Sequence, residues 1–578
     1  MTHPSVAFST IPASELDADV IVIGSGATGG WAAKEFCEKG LKTLVIEGGR
    51  PVKHRVDYPY EGIPPWQYPN RGRVSREDLA KQAVQQRNYA YDQGTKDFYV
   101  SDEVFPYQIE DGTEFSWIRG DQTGGKSLLW HRASWRMSDL DFNANKTDGH
   151  GNDWPLRYQD LAPWYDHVET FIGVSGNQDN IDVLPDGVFQ PAFAMNRVEK
   201  VMRDRMTKAY SDRQLIMSRM AHLTKPTAEQ LALGRSNCMA RNECQKGCSF
   251  GAYFSSQSAT LPAARRTNNL TLINNKLVTT IDYDAKRGFA SAVNVIDRDT
   301  REQTRYRAKI IFLCASTLNS TQVLLNSKSE AFPSGLANRS DALGRYLMGH
   351  TRTHIDARIP GFDDEYYYGR RPGGLFVPRF VNVQGTTDDF YRGYSYYAQA
   401  ARDTWGAKAQ NLQGLGADLK NKLRSPGDWK FVLQAIGEML PHKDNRVTLH
   451  PTKKDAYGIP QLLVDCKLRE NDIKLRAHAE ATSIEIMKAL GCEDIGSAWV
   501  GNSDSAKKIF HEVGTCRMGH DPSESVVNTY NQCHDVPNLF VTDGSAWCSS
   551  GWSNPTLTFM AITARAADYA AKWLAAKA

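Results

Sequence analysis

Residues 237–250 read NCMARNECQKGCSF and gather Cys238, Cys244 and Cys248, three of the ten cysteines in a chain of 578 residues, into one short loop. Three thiols this close suit a disulfide, a metal or nothing. No secretory leader precedes them, so a disulfide framework is not expected. The spacing C-x5-C-x3-C lacks the paired C-x2-C units of a zinc ribbon. Three thiolates in a loop do suit an iron–sulfur cluster, which cysteine holds. Plain thiols in a helical hairpin are the alternative.

A glycine turn is the second pattern with chemistry in it. Residues 17–49, DADVIVIGSGATGGWAAKEFCEKGLKTLVIEGG, give an apolar run over Val20–Ile23, then Gly24, Gly26 and Gly29. A helical pattern follows over Ala27–Lys39, then a second apolar run over Thr43–Ile46 that ends on Glu47. Gly24 permits the tight turn, Gly26 lets a pyrophosphate approach the backbone, and Gly29 lets the helix lie on the sheet. The free N–H groups at the helix start attract phosphate, and the Glu47 carboxylate suits ribose hydroxyls. The pattern predicts a dinucleotide site on a parallel sheet, without separating NAD from FAD.

The elements that position these residues belong to a chain long enough for two to four domains. Lys and Arg total 69 against 66 Asp and Glu, with no basic arm or acidic tail, so no nucleic-acid partner is expected. No internal repeat is visible. The first residues, MTHPSVAFSTIPASELDADV, have neither a charged-then-apolar leader nor twin arginines. The closing TLTFMAITARAADYAAKWLAAKA is broken by Arg565, Asp568 and Lys572, so it reads as a packed helix and not a membrane span. By its own sequence the chain is expected in the cytoplasm, or in the periplasm if a partner subunit carries it there.

Further segments separate the cofactors. GDQTGGKSLLWHRASWR (120–136), CASTLNSTQVLLNS (314–327), LGRYLMGH (343–350) and the closing stretch that opens FHEVGTCRMG at Phe510 follow the glycine turn in order. Together they are similar to the glucose–methanol–choline (GMC) family of flavoprotein oxidoreductases. Residues 153–176 resemble its sugar-oxidising bacterial members and pyranose oxidases. The resemblance implies an α/β fold, α+β overall, in which a Rossmann-like FAD domain is joined to a substrate domain on an open sheet backed by helices. The FAD domain is expected from residues 1–155, 236–330 and 506–578, the substrate domain from 156–235 and 331–505.

By the same resemblance, Gly24, Gly26, Gly29 and Glu47 hold the ADP half of FAD, and Val278 presents its backbone to the adenine. Gly124, Gly125, Ser127 and Trp130 line the flavin, and Asp543 and Gly544 meet the pyrophosphate or ribityl chain. Pro555 and Thr556 open the last helix, whose positive end favours negative charge at the flavin. Leu129 stands where some pyranose oxidases carry a tethering histidine, so FAD is expected to be non-covalent. His131, two positions on, is expected to point elsewhere.

Oxidising an alcohol removes a hydride from carbon and a proton from oxygen. Histidine is a base that is neutral near pH 7, and His511 matches the family's base. Asn554 matches its hydrogen-bonding partner, although Asn-Pro before an apolar helix is also a good helix cap. The cysteine loop resembles the catalytic subunits of bacterial FAD glucose dehydrogenases. That likeness implies a 3Fe–4S cluster on Cys238, Cys244 and Cys248, a c-type cytochrome as acceptor and a small subunit for export. CSFGAYFSSQSATLP (248–262) looks most like bacterial glucoside 3-dehydrogenases, so a glucoside oxidised at C3 is the expected substrate. Oxidation at C1 or C2, an oxidase using O2, and a lyase with structural FAD are the alternatives. Aromatics in YYYG (366–369), YRGYSYY (391–397) and Trp405 are candidates either for stacking on sugar or for ordinary core.

Overall fold

A computed structural model describes residues 17–113, 115–362, 373–386, 389–402, 412–425, 427–496 and 509–577. Its first sheet is five-stranded and parallel. The strands run Leu539–Val541, Ala308–Leu313, Ala18–Ile23, Thr43–Ile46 and Leu270–Ile273 across the sheet. The central strands Ala308–Leu313 and Ala18–Ile23 are apolar apart from the paired Asp19 and Lys309 near their starts, because both faces are covered. Alternation sends Val20 and Val22 to a cluster with Phe36 and Phe312, and Ile21 and Ile23 to one with Trp31 and Leu313. The helix Ala27–Glu38 packs beside Thr556–Ala575, the C-terminal helix, which also touches Tyr158–Ile172. Eleven residues of the C-terminal helix are buried, as a packed helix requires. Among the described residues no helix is long and apolar enough to cross a membrane.

A second, larger sheet is antiparallel. Its path runs Glu493–Gly496, Ile355–Ile359, Trp429–Glu438, Tyr394–Ala401, Leu375–Val377 and Ile216–Met217. Met348–Arg352 pairs with Trp429–Glu438 and, on its other edge, with Phe510–Val513. That last pairing sets His511 on the antiparallel sheet, although the next strand in the chain, Leu539–Val541, belongs to the parallel one. The helix Glu470–Ala489 covers the sheet's far face. Gly491, at φ +70°, follows its end in the left-handed conformation expected of a helix stop. A three-stranded antiparallel sheet over Lys276–Asp284, Phe289–Asp297 and Gln303–Tyr306 lies beside the parallel sheet, and two smaller sheets, Arg446–Lys454 with Pro460–Asp465 and Gln108–Ile109, and Ser175–Gly176 with Gln190–Pro191, complete the described architecture.

Candidate active site

A cavity of about 1060 Å³ lies between the C-terminal ends of the parallel strands and one face of the antiparallel sheet. Ligands of open parallel sheets sit at this end of the strands. Gly24, Gly26, Glu47, Gly125, Ser127, Trp130, Val278, Asp543, Gly544, Pro555 and Thr556 line it, together with His511 and Asn554. Gly29 and Gly124 stand behind the wall. A Cβ on Gly29 would lie 1.9 Å from the Gly24 carbonyl oxygen, and Gly24 itself turns at φ +95°. A Cβ on Gly26 would meet nothing and would simply fill the cradle. Gly26 also caps the helix Ala27–Glu38 without a side-chain hydrogen bond, leaving its first N–H groups for a ligand.

The acids are held from behind. The Glu47 carboxylate accepts hydrogen bonds from Ser25 N (2.9 Å), Ser25 Oγ (2.5 Å) and Gly49 N (2.7 Å). Burial pushes its carboxyl up, and these bonds oppose the shift. Asp543 accepts from Ser320 Oγ and from Ser545 N and Oγ; burial raises it too. Ser127 donates to the Gly124 carbonyl at 2.6 Å, and Trp130 Nε1 to that of Phe254 at 2.9 Å. Leu129 offers no nucleophile toward the cavity. His131 was expected to point elsewhere, but it lines the cavity with its ring centroid 5.3 Å from that of Tyr397. Its neighbour Arg132 takes φ +70°, three residues after the helical turn Gly125–Leu128 has closed on Leu129.

His511 and Asn554 meet in this cavity. Asn554 Nδ2 stands 3.3 Å from His511 Nε2, and His511 Nδ1 stands 3.0 Å from Nδ1 of the fully buried His350. His350 Nε2 lies 2.9 Å from the Gly551 carbonyl oxygen. A carbonyl only accepts, so His350 carries its proton on Nε2 and accepts at Nδ1. His511 therefore donates from Nδ1, which leaves the lone pair of its Nε2 facing the cavity. Burial, then the neighbouring His350, Lys126, Arg352 and His131, hold His511 well below the ordinary imidazole range. Burial likewise pushes His350 down to about 4. Both rings are neutral near pH 7, and His511 is a base and not an acid there.

Asn554 does not cap the helix. The helix starts at Thr556 with Pro555 in the capping position and no side-chain bond, so the amide is available to the cavity. Its Oδ1 accepts from Tyr397 Oη at 2.7 Å. Tyr397 is the residue of YRGYSYY that reaches the site. Strand alternation sends Tyr394 and Tyr396 into the core, and Tyr391 is at the surface. YYYG (366–369) and Trp405 lie outside the described residues. Arg352, His354, Gln399 and Gln434 add polar groups from the antiparallel sheet.

Cys238, Cys244 and Cys248 border a second, small cavity of about 20 Å³ with His222 and Tyr253. Cys244 also borders the large one. Burial, with the other two thiols, raises Cys238 to about 11. Cys244 Sγ lies 3.7 Å from His222 Nε2. Arg132 and Arg241 oppose the rise at Cys244, as guanidinium groups do near thiols. The donor chemistry suits a sulfur-held cluster, but the arrangement does not. Among the described residues no three His, Cys, Asp or Glu side chains converge as a metal-holding group.

Family models described as GMC oxidoreductase match residues 18–352 and 441–563. The chain belongs to the GMC oxidoreductase family. It is 28% identical to the fructose dehydrogenase large subunit of Gluconobacter japonicus, over 96% of this chain and 97% of that one. It is also 28% identical to 2-methyl-1,2-propanediol dehydrogenase of Mycolicibacterium austroafricanum, over 95% and 94%. A formate oxidase structure from Aspergillus oryzae RIB40 shares the fold, with a TM-score of 0.62, 14% identity and coverage of 97% and 99%. GMC membership implies FAD, and the open cradle at Gly26 and the uncapped helix start fit its pyrophosphate. His350 and Tyr397 were missed as site residues. His350 closes LGRYLMGH and Tyr397 closes YRGYSYY, but only the pairing of distant strands shows that they touch His511 and Asn554.

Proposed function

We propose that the chain is an FAD-dependent dehydrogenase that oxidises a secondary hydroxyl of a sugar, with C3 of a glucoside as the position attacked. Bound FAD, held along Gly24–Gly29, Glu47, Gly125–Trp130, Val278, Asp543–Gly544 and the start of the last helix, supplies the acceptor for the hydride. The proton of the same hydroxyl passes to His511 Nε2. Asn554 Nδ2 donates to the hydroxyl oxygen and holds it against the base, which is a positioning effect. One observation carries the reading: an imidazole whose Nε2 is left as an acceptor, beside an amide, in a cavity bordered by a nucleotide turn. The relative named for fructose and the polar groups of Arg352, His354, Gln399 and Gln434 support a sugar. The resemblance around residues 248–262 supports C3.

The electrons then pass to an external acceptor, and the cysteine loop borders the same cavity through Cys244. The relative named as a large subunit supports smaller partners, among them a cytochrome and an export subunit. Because the three thiols do not stand as a ligand set, no step is routed through a cluster. Anaerobic mixing with glucosides tests the catalytic reading, and loss of the flavin absorbance is the expected result. An unchanged spectrum with every sugar and diol overturns it. Peroxide release on admitting air would make the chain an oxidase. Iron near three atoms per chain supports the cluster, and iron-free holoenzyme removes it.

A further inference from the structure

Asn554 has two ends, and which end faces the base decides whether the pair works. With the N–H end toward His511, the amide donates to an alcohol oxygen while the base takes that alcohol's proton. With the carbonyl end there, two acceptors face one another and the alcohol has a single proton for both. Nothing in the amide itself selects between them, since its two ends have nearly the same shape.

Behind Asn554 stand Trp135 and Tyr397. Trp135 is fully buried and stacks on Phe376 with ring centroids 3.8 Å apart. Its Nε1 donates to Tyr397 Oη at 2.7 Å, and Tyr397 Oη donates to Asn554 Oδ1 at 2.7 Å. An indole N–H only donates, so the Tyr397 oxygen is committed as its acceptor. Burial also holds the phenol well above its ordinary range, so it keeps its proton. That proton has one direction left, toward Asn554, and it demands the carbonyl end. Nδ2 is thereby turned to His511 Nε2. From the opposite side the Gly551 carbonyl, through His350, fixes the His511 proton on Nδ1. The chain from Trp135 to Gly551 thus has a donor that cannot accept at one end and an acceptor that cannot donate at the other.

We propose that Tyr397, oriented by Trp135, is a positioning residue for the alcohol oxidation, acting by fixing which end of the Asn554 amide meets the substrate hydroxyl. The proposal rests on the catalytic reading of His511 and Asn554. Tyr397 needs no contact with substrate to act in this way.

The test is a double-mutant comparison on the FAD-loaded full chain, read as the rate of flavin reduction in anaerobic stopped flow. Tyr397→Phe keeps the ring and removes the donor. The expected fall is about tenfold, the size of one lost buried hydrogen bond, with KM changed less than about twofold because the sugar's other contacts remain. In an Asn554→Ala background the same substitution changes the rate less than about twofold, because the group it acts through is gone. A second readout does not depend on turnover. The Kd of a non-reacting deoxyfluoro sugar, titrated by the flavin spectrum, changes less than about twofold in either variant, because the hydroxyl that Asn554 orients is replaced there and the sugar's other contacts remain. An equal fall in both backgrounds overturns the proposal, as does no fall in the otherwise wild-type chain. Full turnover by His511→Ala would instead sink the catalytic reading, so the two failures are distinguishable.

Discussion

Two clusters of reactive side chains border one cavity and are organised in opposite ways. Around His511 each donor meets an acceptor, from Trp135 through Tyr397 and Asn554, then through His350 to the Gly551 carbonyl. Around Cys244 the ties come from outside. The Glu61 carboxylate accepts from Ser249 N, Glu243 accepts from Gly62 N, and Arg132 donates to the Cys244 carbonyl. The thiols themselves have little to hold them, and Nδ1 of the buried His222 has no partner. A closed hydrogen-bonded chain specifies its own geometry. A set of soft donors takes its geometry from whatever it binds.

The comparison is broken most directly at the base. His511→Ala should lower the rate of flavin reduction about a thousandfold, within the range a general base supplies, while leaving FAD bound. A rate within tenfold of wild type, measured on holoenzyme, would remove the imidazole from the mechanism. Asn554→Asp comes next. It keeps the shape and accepts from Tyr397 but offers no donor, so we expect a loss of about a hundredfold. It should also raise the apparent pKa of the base in the pH–rate profile, since a carboxylate then faces it.

A smaller effect follows from the buried rings. His350 has a folded pKa of about 4, against roughly 6.5 when unfolded. Between these values the unfolded chain binds a proton that the folded chain refuses. Stability therefore falls as pH drops from about 6.5 to 4, by up to about 3 kcal/mol, and is unaffected by this group above 6.5. Thermal melts of wild type and His350→Asn across that window should diverge in slope. The smallest effect is expected at the second cluster. Cys248→Ser should leave flavin reduction within about twofold, because that thiol does not border the large cavity, and any effect should appear in transfer to an external acceptor. Equal loss in both half-reactions would show that the two clusters are one.

What could be read from sequence follows the same division. The nucleotide turn was legible because its logic is local: a strand, three glycines, a helix and an acid within 33 residues of chain. His511 and Asn554 were legible because FHEVGTCRMG and SNPTLT resemble known segments. His350 was not, since it meets His511 across 161 residues through a strand pairing that no periodicity announces. Tyr397 looked no different from Tyr394 and Tyr396 until the strand's alternation gave it the opposite face. His131 was misplaced because its contact with Tyr397 comes from a strand 266 residues further along the chain, which no local pattern announces. The cysteine spacing suggested soft ligands for a cluster, but a spacing carries no information on whether three sulfurs converge, and among the described residues no metal-holding group forms.

His511 rides on the antiparallel sheet through Met348–Arg352, whereas Asn554 stands at the root of the helix that packs on the nucleotide side. The working gap between base and amide is therefore also a gauge of how tightly the two slabs of protein are shut. Parting them by about one ångström would silence the enzyme with both side chains intact, so mutations at that seam, far from any sugar, belong on the list of those that govern its rate.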